Sequence, residues 1–202
     1  MINVWGIEFD IDKIVENFNF YQSFAKAKEI HLEDIPQDIM EKFENLSRRF
    51  IPSAEYKPKD FIFSLKTNFD NGDYSYSVLH PVIYNRGKLG KEAREFDLYS
   101  RELDKTGKSS GRFELRYNLR NDSYFINKPF VGRIKTKEDF RRQGLGIRKH
   151  KTMNALSHAI YGLALHSDTS NLENEKKLLE KLFSLGEVTH YFENGKDRFC
   201  FP

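Results

Sequence analysis

Ile134-Lys-Thr-Lys-Glu-Asp-Phe-Arg-Arg-Gln-Gly-Leu-Gly146 is the stretch on which the reading of this chain turns. Phe130 to Thr136 reads as a strand, and Gly144 to Tyr161 as a helix, with Met153, Leu156 and Ile160 inward and Gly162 at its end. A strand therefore runs into a short loop of Arg and Gly, and a helix begins at the glycines. The first N–H groups of a helix have no partner inside it, and the helix dipole adds partial positive charge there. Such a turn can hold a phosphate or pyrophosphate. Gly144 and Gly146 let an anion approach the backbone with no Cβ in the way, and Arg141, Arg142 and Arg148 add long-range attraction.

Downstream, Leu163 to His166 reads as a short strand. Asn171 caps a helix with Leu172, Leu179, Leu182 and Phe183 on one face, and Gly186 stops it. Val188 to Phe192, the Asn194-Gly195 turn and Arg198 to Phe201 make a closing hairpin.

Upstream, Ile2 to Phe9 reads as one strand, and Asp10 or Asp12 caps a helix carrying Ile14, Phe18, Tyr21 and Ala25. Asp34 and Pro36 open a second helix, with Ile39, Phe43, Leu46 and Phe50 on one face; Pro52 and Pro58 bracket a loop. Phe61 to Lys66 and Tyr74 to Tyr84 form a hairpin about the Asp-Asn-Gly-Asp turn at 70 to 73. Residues 85 to 120 read as an insertion with room for an added strand around Phe96, Leu98 and Leu103, then a half-exposed strand over 112 to 119. Gly107-Lys108-Ser109 lacks the first glycine of a phosphate loop and no helix follows it, so 105 to 111 reads as a hairpin turn.

With 202 residues, 39% hydrophobic and 31% charged, the chain reads as one soluble globular domain. It has no apolar run of about 18 residues to span a bilayer. The start lacks the pattern of a signal peptide, and Cys200, the only cysteine, excludes an internal disulfide or a thiolate zinc cluster, so the cytoplasm is the expected compartment. A net charge of +3 is too small for a general polyanion binder. Eight of the basic residues, however, lie between Val131 and Lys151 against only Glu138 and Asp139.

Arg141-Arg142-Gln143-Gly144-Leu145-Gly146, preceded by Asp139-Phe140, resembles the acyl-CoA-binding motif of the GNAT acyltransferase superfamily, Arg/Gln-x-x-Gly-x-Gly/Ala after the fourth strand. The order that follows (helix, strand, helix with an early Asn, glycine stop, hairpin) is also that family's order. The resemblance implies a single α/β (α+β) domain over 1 to 202, its mixed, mostly antiparallel twisted sheet carrying helices on both faces. Residues 1 to 84 would give the N-terminal strand, two helices and hairpin, and 130 to 202 the acyl-CoA-binding core. It implies acetyl-CoA, or a related acyl-CoA, as co-substrate. Gln143, Gly144, Leu145 and Gly146 would donate N–H groups to its pyrophosphate, and the exposed edge of 130 to 136 would pair with its pantetheine amides. The fourth and fifth strands of the family splay apart around the thioester, which puts Ile134, Lys135 and Thr136, and Leu165 to Ser167, beside the acyl group. Asn171 or Asn174 would contact an amide of the cofactor.

The implied reaction is direct attack of a neutral amine on the thioester, with positioning and backbone N–H groups lowering the barrier. The acceptor is open between a protein, a small molecule and an aminoacyl-tRNA. Leu182, beside Phe183, stands where many members have an acidic Tyr, and no carboxylate lies between Phe130 and Lys137. Glu138 and Asp139 sit in the loop, near the phosphates. His166 and Ser167 are the local substitutes, with Tyr191, His190 and Ser184 as rivals. Cys200 reads as a hairpin core residue. His150 and His158, eight apart on one helix, do not jointly ligate a metal, and none is expected. The surplus charge on Arg148, Lys149 and Lys151 reads first as a solvated face, second as a contact for tRNA phosphates. A homodimer is compatible with the sequence and a membrane partner is not expected. The departures leave an alternative, a non-catalytic module of this fold that binds or inhibits a protein or RNA partner.

Overall fold

Apolar alternation sets most of the strands. The structure, a computed structural model, describes residues 2–4, 7–10, 12–14, 16, 27–50, 63–85, 94–118, 128–167 and 173–202. Its strands are β1 (Ile2–Val4), β2 (Ile7–Phe9), β3 (Ala27–Glu29), β4 (Phe63–Asn68), β5 (Tyr74–Asn85), β6 (Arg94–Asp104), β7 (Ser109–Asn118), β8 (Pro129–Thr136), β9 (Leu165–His166), β10 (Thr189–Glu193) and β11 (Lys196–Phe201). The helices are α1 (Gln37–Phe50), α2 (Leu145–Tyr161) and α3 (Glu173–Ser184). Nine strands form one open sheet in the order β10, β11, β9, β8, β7, β6, β5, β4, β3. Every pairing is antiparallel except β8 with β9, which is parallel and is crossed by α2. The fold is thus α+β with a mixed, mostly antiparallel sheet.

Two cores flank that sheet. On one face Leu65, Leu98, Phe113 and Val131 meet Met153 and Leu156 of α2 and Leu179 and Leu182 of α3. On the other, Tyr76, Val78 and Leu103 meet Ile39 and Phe43 of α1. Val78 of the second core and Leu79 of the first are successive on β5, and successive residues of a strand face opposite sides, so helices cover both faces of the sheet.

Several local expectations hold. Asp10 caps the first helical turn, its Oδ1 accepting from Lys13 N–H at 3.1 Å. Gly72, at φ +85°, turns β4 into β5, and Gly162, at φ +66°, ends α2 with its N–H donated to the His158 carbonyl at 3.0 Å. The expected hairpin turn forms, but over 105–108, with Ser109 already in β7: Asp104 Oδ1 accepts from Thr106 N–H at 2.9 Å and Lys108 N–H at 2.8 Å. Asn194 and Gly195, both left-handed, join β10 to β11.

Other expectations change. Ile2–Val4 and Ile7–Phe9 form two strands, paired with Val4 opposite Ile7, where the alternation suggests one. The two strands expected within 85 to 120 form as β6 and β7, but they are eleven and ten residues long and lie in the middle of the sheet, so this stretch is part of its centre and not an insertion. Phe183 is 51% exposed, because the inward stripe of α3 ends at Leu182. The readings at Phe18, Tyr21, Ala25, the 52–58 loop, Asn171 and Leu172 lie outside the described residues. Among the described residues no helix is long and apolar enough to cross a membrane.

Candidate functional site

After β8, Lys137 N–H bonds back to the Ser110 carbonyl at 2.9 Å, and one short turn follows at Glu138–Phe140. Arg142, at φ +61°, and Gly144, at φ +73°, then curl the chain into α2. The first bond of the helix ladder runs from Arg148 N–H to the Gly144 carbonyl at 3.2 Å, so the N–H groups of Leu145, Gly146 and Ile147 precede it. Two hairpin turns hold this loop from the side. Phe69 meets Phe140 edge to face at 6.0 Å, and Lys108 pairs with Asp139. Arg148 reaches back to the Asn68 carbonyl and to Asp70.

The loop opens on a cleft of about 810 Å³. Arg141, Arg142, Gly144, Leu145 and Gly146 line it, as do Ile134, Lys135 and Thr136. Those eight sequence-derived residues therefore share one space. Gln143 does not line it; its Oε1 is buried with no partner among the described residues. Asn171 and the Asn174 side chain lie outside the described residues. At Gly144 the space freed by the missing Cβ is taken by Asp70, so there the glycine serves an internal contact and not a ligand's approach.

One edge of β8 borders the gap. Its contact with β9 is a single register pair, Phe130 with His166. Beyond Phe130 no described strand pairs with β8 on that edge, since β9 ends at His166. Because Lys137 N–H faces β7, alternation turns the peptide groups of Thr136 and Ile134 to the opposite edge, toward the cleft. That edge can pair with amides of an extended ligand.

At the β8–β9 pair the structure brings together His166 and Tyr191, with Nδ1 and Oη 2.7 Å apart, outside the residues that line the cleft. Burial lowers the pKa of His166, helped by the Lys128 charge, and pushes the Tyr191 hydroxyl up to about 12. His166 is thus a neutral imidazole near pH 7 and Tyr191 a phenol. Ser167 is not free to join them. It is fully buried, its N–H bonded to the Phe199 carbonyl and its hydroxyl accepting from Phe199 N–H at 3.0 Å. Of the rivals, His190 pairs with Asp197 at 2.9 Å, and Ser184 donates to the Lys181 carbonyl at 2.8 Å at a helix end. Leu182 is core, 1% exposed, and does not line the cleft.

The basic run resolves differently from expectation. Arg148 is bound to Asp70, Lys149 is 2% exposed and 2.6 Å from Glu102, and Lys151 is 2.7 Å from Glu187. Arg148 and Lys149 are thus buried against acids distant in sequence and form no solvated face, while Lys151 is partly exposed beside Glu187. Cys200 is likewise half-buried beside His166, its Sγ 4.0 Å from Nε2, and not a closed core residue.

Sequence reasoning missed two acids or bases on the cleft wall and a buried carboxylate on β7. His150 and Glu175 share the cleft wall with Nε2 and Oε1 3.5 Å apart, and His150 Nδ1 donates to the Gly146 carbonyl at 2.9 Å. Glu114 of β7 stands at a bulge opposite β8, bound to Arg116 at 2.5 Å, and supplies a buried carboxylate one strand away from where it was sought. No periodic signal marks it, since its burial follows from pairing across strands. No protein-family model matches the chain, and no curated protein matches it in sequence.

Proposed function

We propose that this chain is an acyl-CoA-dependent N-acyltransferase with a GNAT-type fold, taking the acyl group, in the first instance acetyl, to an amine. The observation that carries the reading is the glycine turn and the uncovered edge of β8 lying along one cleft. An anion site leads directly into a strand-like pairing edge, which matches a ligand with a pyrophosphate at one end and amides behind it. The parallel pairing of β8 with β9, confined to one register position, is compatible with the same reading.

The residues present fit the donor. The N–H groups of Leu145, Gly146 and Ile147 would hold the pyrophosphate with Arg141 and Arg142 beside it, and the peptide groups of Ile134 and Thr136 would pair with the pantetheine amides. Bound acyl-CoA supplies an acyl group activated as a thioester. His166, neutral near pH 7, accepts a proton from the incoming ammonium, and the Tyr191 hydroxyl, still protonated, can return one to a departing thiolate. The acceptor is a protein, a small molecule or an aminoacyl-tRNA.

Calorimetry tests this first: acetyl-CoA should bind, and absence of heat at millimolar ligand would end the reading. The burial of Leu182, where an acid would otherwise stand, favours a second reading, a non-catalytic module of this fold that binds a protein or RNA partner. Thiol release with a panel of amines, peptides and aminoacyl-tRNA separates the two, because turnover with any acceptor excludes a purely non-catalytic role.

A further inference from the structure

We propose that Arg112 and Lys135 form a second anion subsite in the cleft, one that takes a carboxylate of the acceptor, so that the acceptor is a small molecule carrying both an amine and a carboxylate. The proposal deepens the acyltransferase reading above and rests on it. It begins from strand register. Arg101 of β6 stands opposite Arg112 of β7, and Arg112 opposite Lys135 of β8, so three cations form one row across the sheet. Like charges directly opposite on paired strands repel. Water screens that repulsion poorly here, because Arg101 is 7% exposed and Arg112 half-buried. Burial above all, and the Arg112 charge with it, hold the Arg101 guanidinium below its usual range.

The protein supplies no carboxylate to Arg112 or Lys135. Among the described residues neither makes an ion pair. Glu114, two places along β7, accepts from Arg116 Nε at 2.8 Å and Nη2 at 2.5 Å, and Glu102 is taken by Lys149. Arg112 is nevertheless held in place. Its Nη1 donates to the Tyr99 hydroxyl at 3.0 Å, and the Tyr99 ring carries Arg101 at 4.8 Å. Arg112 Nε is enclosed with no partner, and Nη2 is left for a ligand.

The row lies across the sheet from the glycine turn. Phe113 and Ile134, next in sequence to Arg112 and Lys135, pack into the core under α2, so Arg112 and Lys135 point to the other face. Both nonetheless line the same cleft as Gly146 at the start of α2. The cleft therefore passes from one face to the other around the uncovered edge of β8. An acyl-CoA laid on the helix start and along that edge leaves the Arg112 side to the second substrate.

A carboxylate suits that side. The planar fork of a guanidinium matches its two oxygens, and Lys135, exposed, adds a mobile charge. An RNA acceptor calls for a wider basic face, whereas the cations of α2, Arg148, Lys149 and Lys151, are paired with Asp70, Glu102 and Glu187. With the carboxylate held, the amine nitrogen bonds to the acyl carbon, the bond to the carrier sulfur breaks, and the ammonium proton ends on the departing thiol. The carboxylate is not consumed.

The test uses the full chain, acetyl-CoA and amines matched with and without a carboxylate: lysine against cadaverine, phenylalanine against phenethylamine, β-alanine against ethylamine. Thiol release gives kcat/KM for each, and at least one pair should favour the carboxylate by about tenfold or more. In Arg112→Gln that ratio should fall toward one, chiefly through KM, and Arg112→Lys, which lacks the fork, should not restore it. Lys135→Gln, at an exposed position that does not threaten folding, should lower the ratio a few-fold. Calorimetry should find acetyl-CoA bound to Arg112→Gln within about twofold of the parent, and the urea midpoint should hold or rise because a repulsion is relieved. A lower midpoint with an unchanged ratio makes Arg112 structural and overturns the subsite. A tenfold loss of acetyl-CoA affinity in Arg112→Gln assigns the guanidinium to the donor's phosphates and overturns it too. Acetyl-CoA binding with no carboxylate preference in the parent, or turnover with aminoacyl-tRNA alone, removes the subsite and leaves the acyltransferase reading standing. If acetyl-CoA does not bind, that reading falls first and the subsite with it.

Discussion

Asp70 closes over Gly144: a Cβ on that glycine would lie 2.7 Å from Asp70 Oδ2. The same carboxylate pairs with Arg148 one turn into α2, so the β4–β5 hairpin is tied by charge to the loop that opens the cleft. The two glycines of the loop therefore report on different things.

At Gly144 any side chain meets both Asp70 and a φ of +73°, so Gly144→Val should lose at least about 1–2 kcal/mol of stability whatever the ligand does. Gly146 has only Leu178 Cδ2 near, at 3.4 Å, and no left-handed φ. Gly146→Ala should keep or gain up to about 1 kcal/mol. Gly146→Glu, with a carboxylate set on the cleft wall at a helix start, should fold but bind acetyl-CoA about a hundredfold more weakly, near 2.7 kcal/mol. Denaturant unfolding and calorimetry on the same samples check both; unchanged affinity in Gly146→Glu would reject the anion turn.

The loop and both of its flanking elements were legible because their signals are local: alternation in β8, spacing in α2, left-handed glycines at 144 and 162. What could not be read depends on partners far away in sequence. Arg148 and Lys149 look like surface charge until Asp70 and Glu102 come to meet them, 78 and 47 positions earlier. Cys200 reads as apolar filling until antiparallel register sets it opposite His166. Ala27–Glu29 has no strand pattern and is a strand because β4 offers it an edge, pairing Ala27 with Thr67.

Lys149 gives a prediction of stability. It is buried with Glu102 at 2.6 Å and also donates to the Lys135 carbonyl at 2.7 Å and the Thr136 hydroxyl at 3.1 Å, so one ammonium ties α2 to β6 and to the end of β8. Lys149→Met leaves Glu102 buried without its cation and should cost about 3–5 kcal/mol. Adding Glu102→Gln should recover much of that loss, because a neutral amide needs no counter-charge. A double-mutant cycle by urea unfolding measures the coupling, and additive losses would show that the pair contributes nothing jointly.

His80 predicts acid sensitivity. It is fully buried against Tyr99, with ring centroids 5.4 Å apart, and burial, aided by the Arg101 charge, holds its pKa down to about 3. The unfolded chain then binds the extra proton between an ordinary pKa of about 6.5 and the folded one, so stability is complete above that window and is lost as pH falls through it. From pH 7 to pH 5 the loss should be about 2 kcal/mol. His80→Gln does not titrate, and its urea midpoint should move less over the same change. An equal loss in both proteins would place the sensitivity elsewhere.

Arg142 and Arg141 separate backbone strain from charge. Arg142 holds φ +61°, a region that costs a residue with a Cβ about 1 kcal/mol, while Arg141 has an ordinary φ of −73°. Arg142→Gly removes the strain, and against the extra freedom of glycine in the unfolded chain the net should be a gain of about 0.5 kcal/mol. The same substitution takes one cation from the cleft wall, so acetyl-CoA should bind about three- to tenfold more weakly, with the difference shrinking in high salt. Arg141→Gly has no strain to relieve and should lose both stability and affinity. Thermal unfolding and calorimetry of the two variants side by side give the decisive comparison: opposite signs for Arg142→Gly and like signs for Arg141→Gly. If Arg142→Gly binds acetyl-CoA as tightly as the parent at low salt, that guanidinium does not face the ligand, and the anion site must rest on the helix start alone.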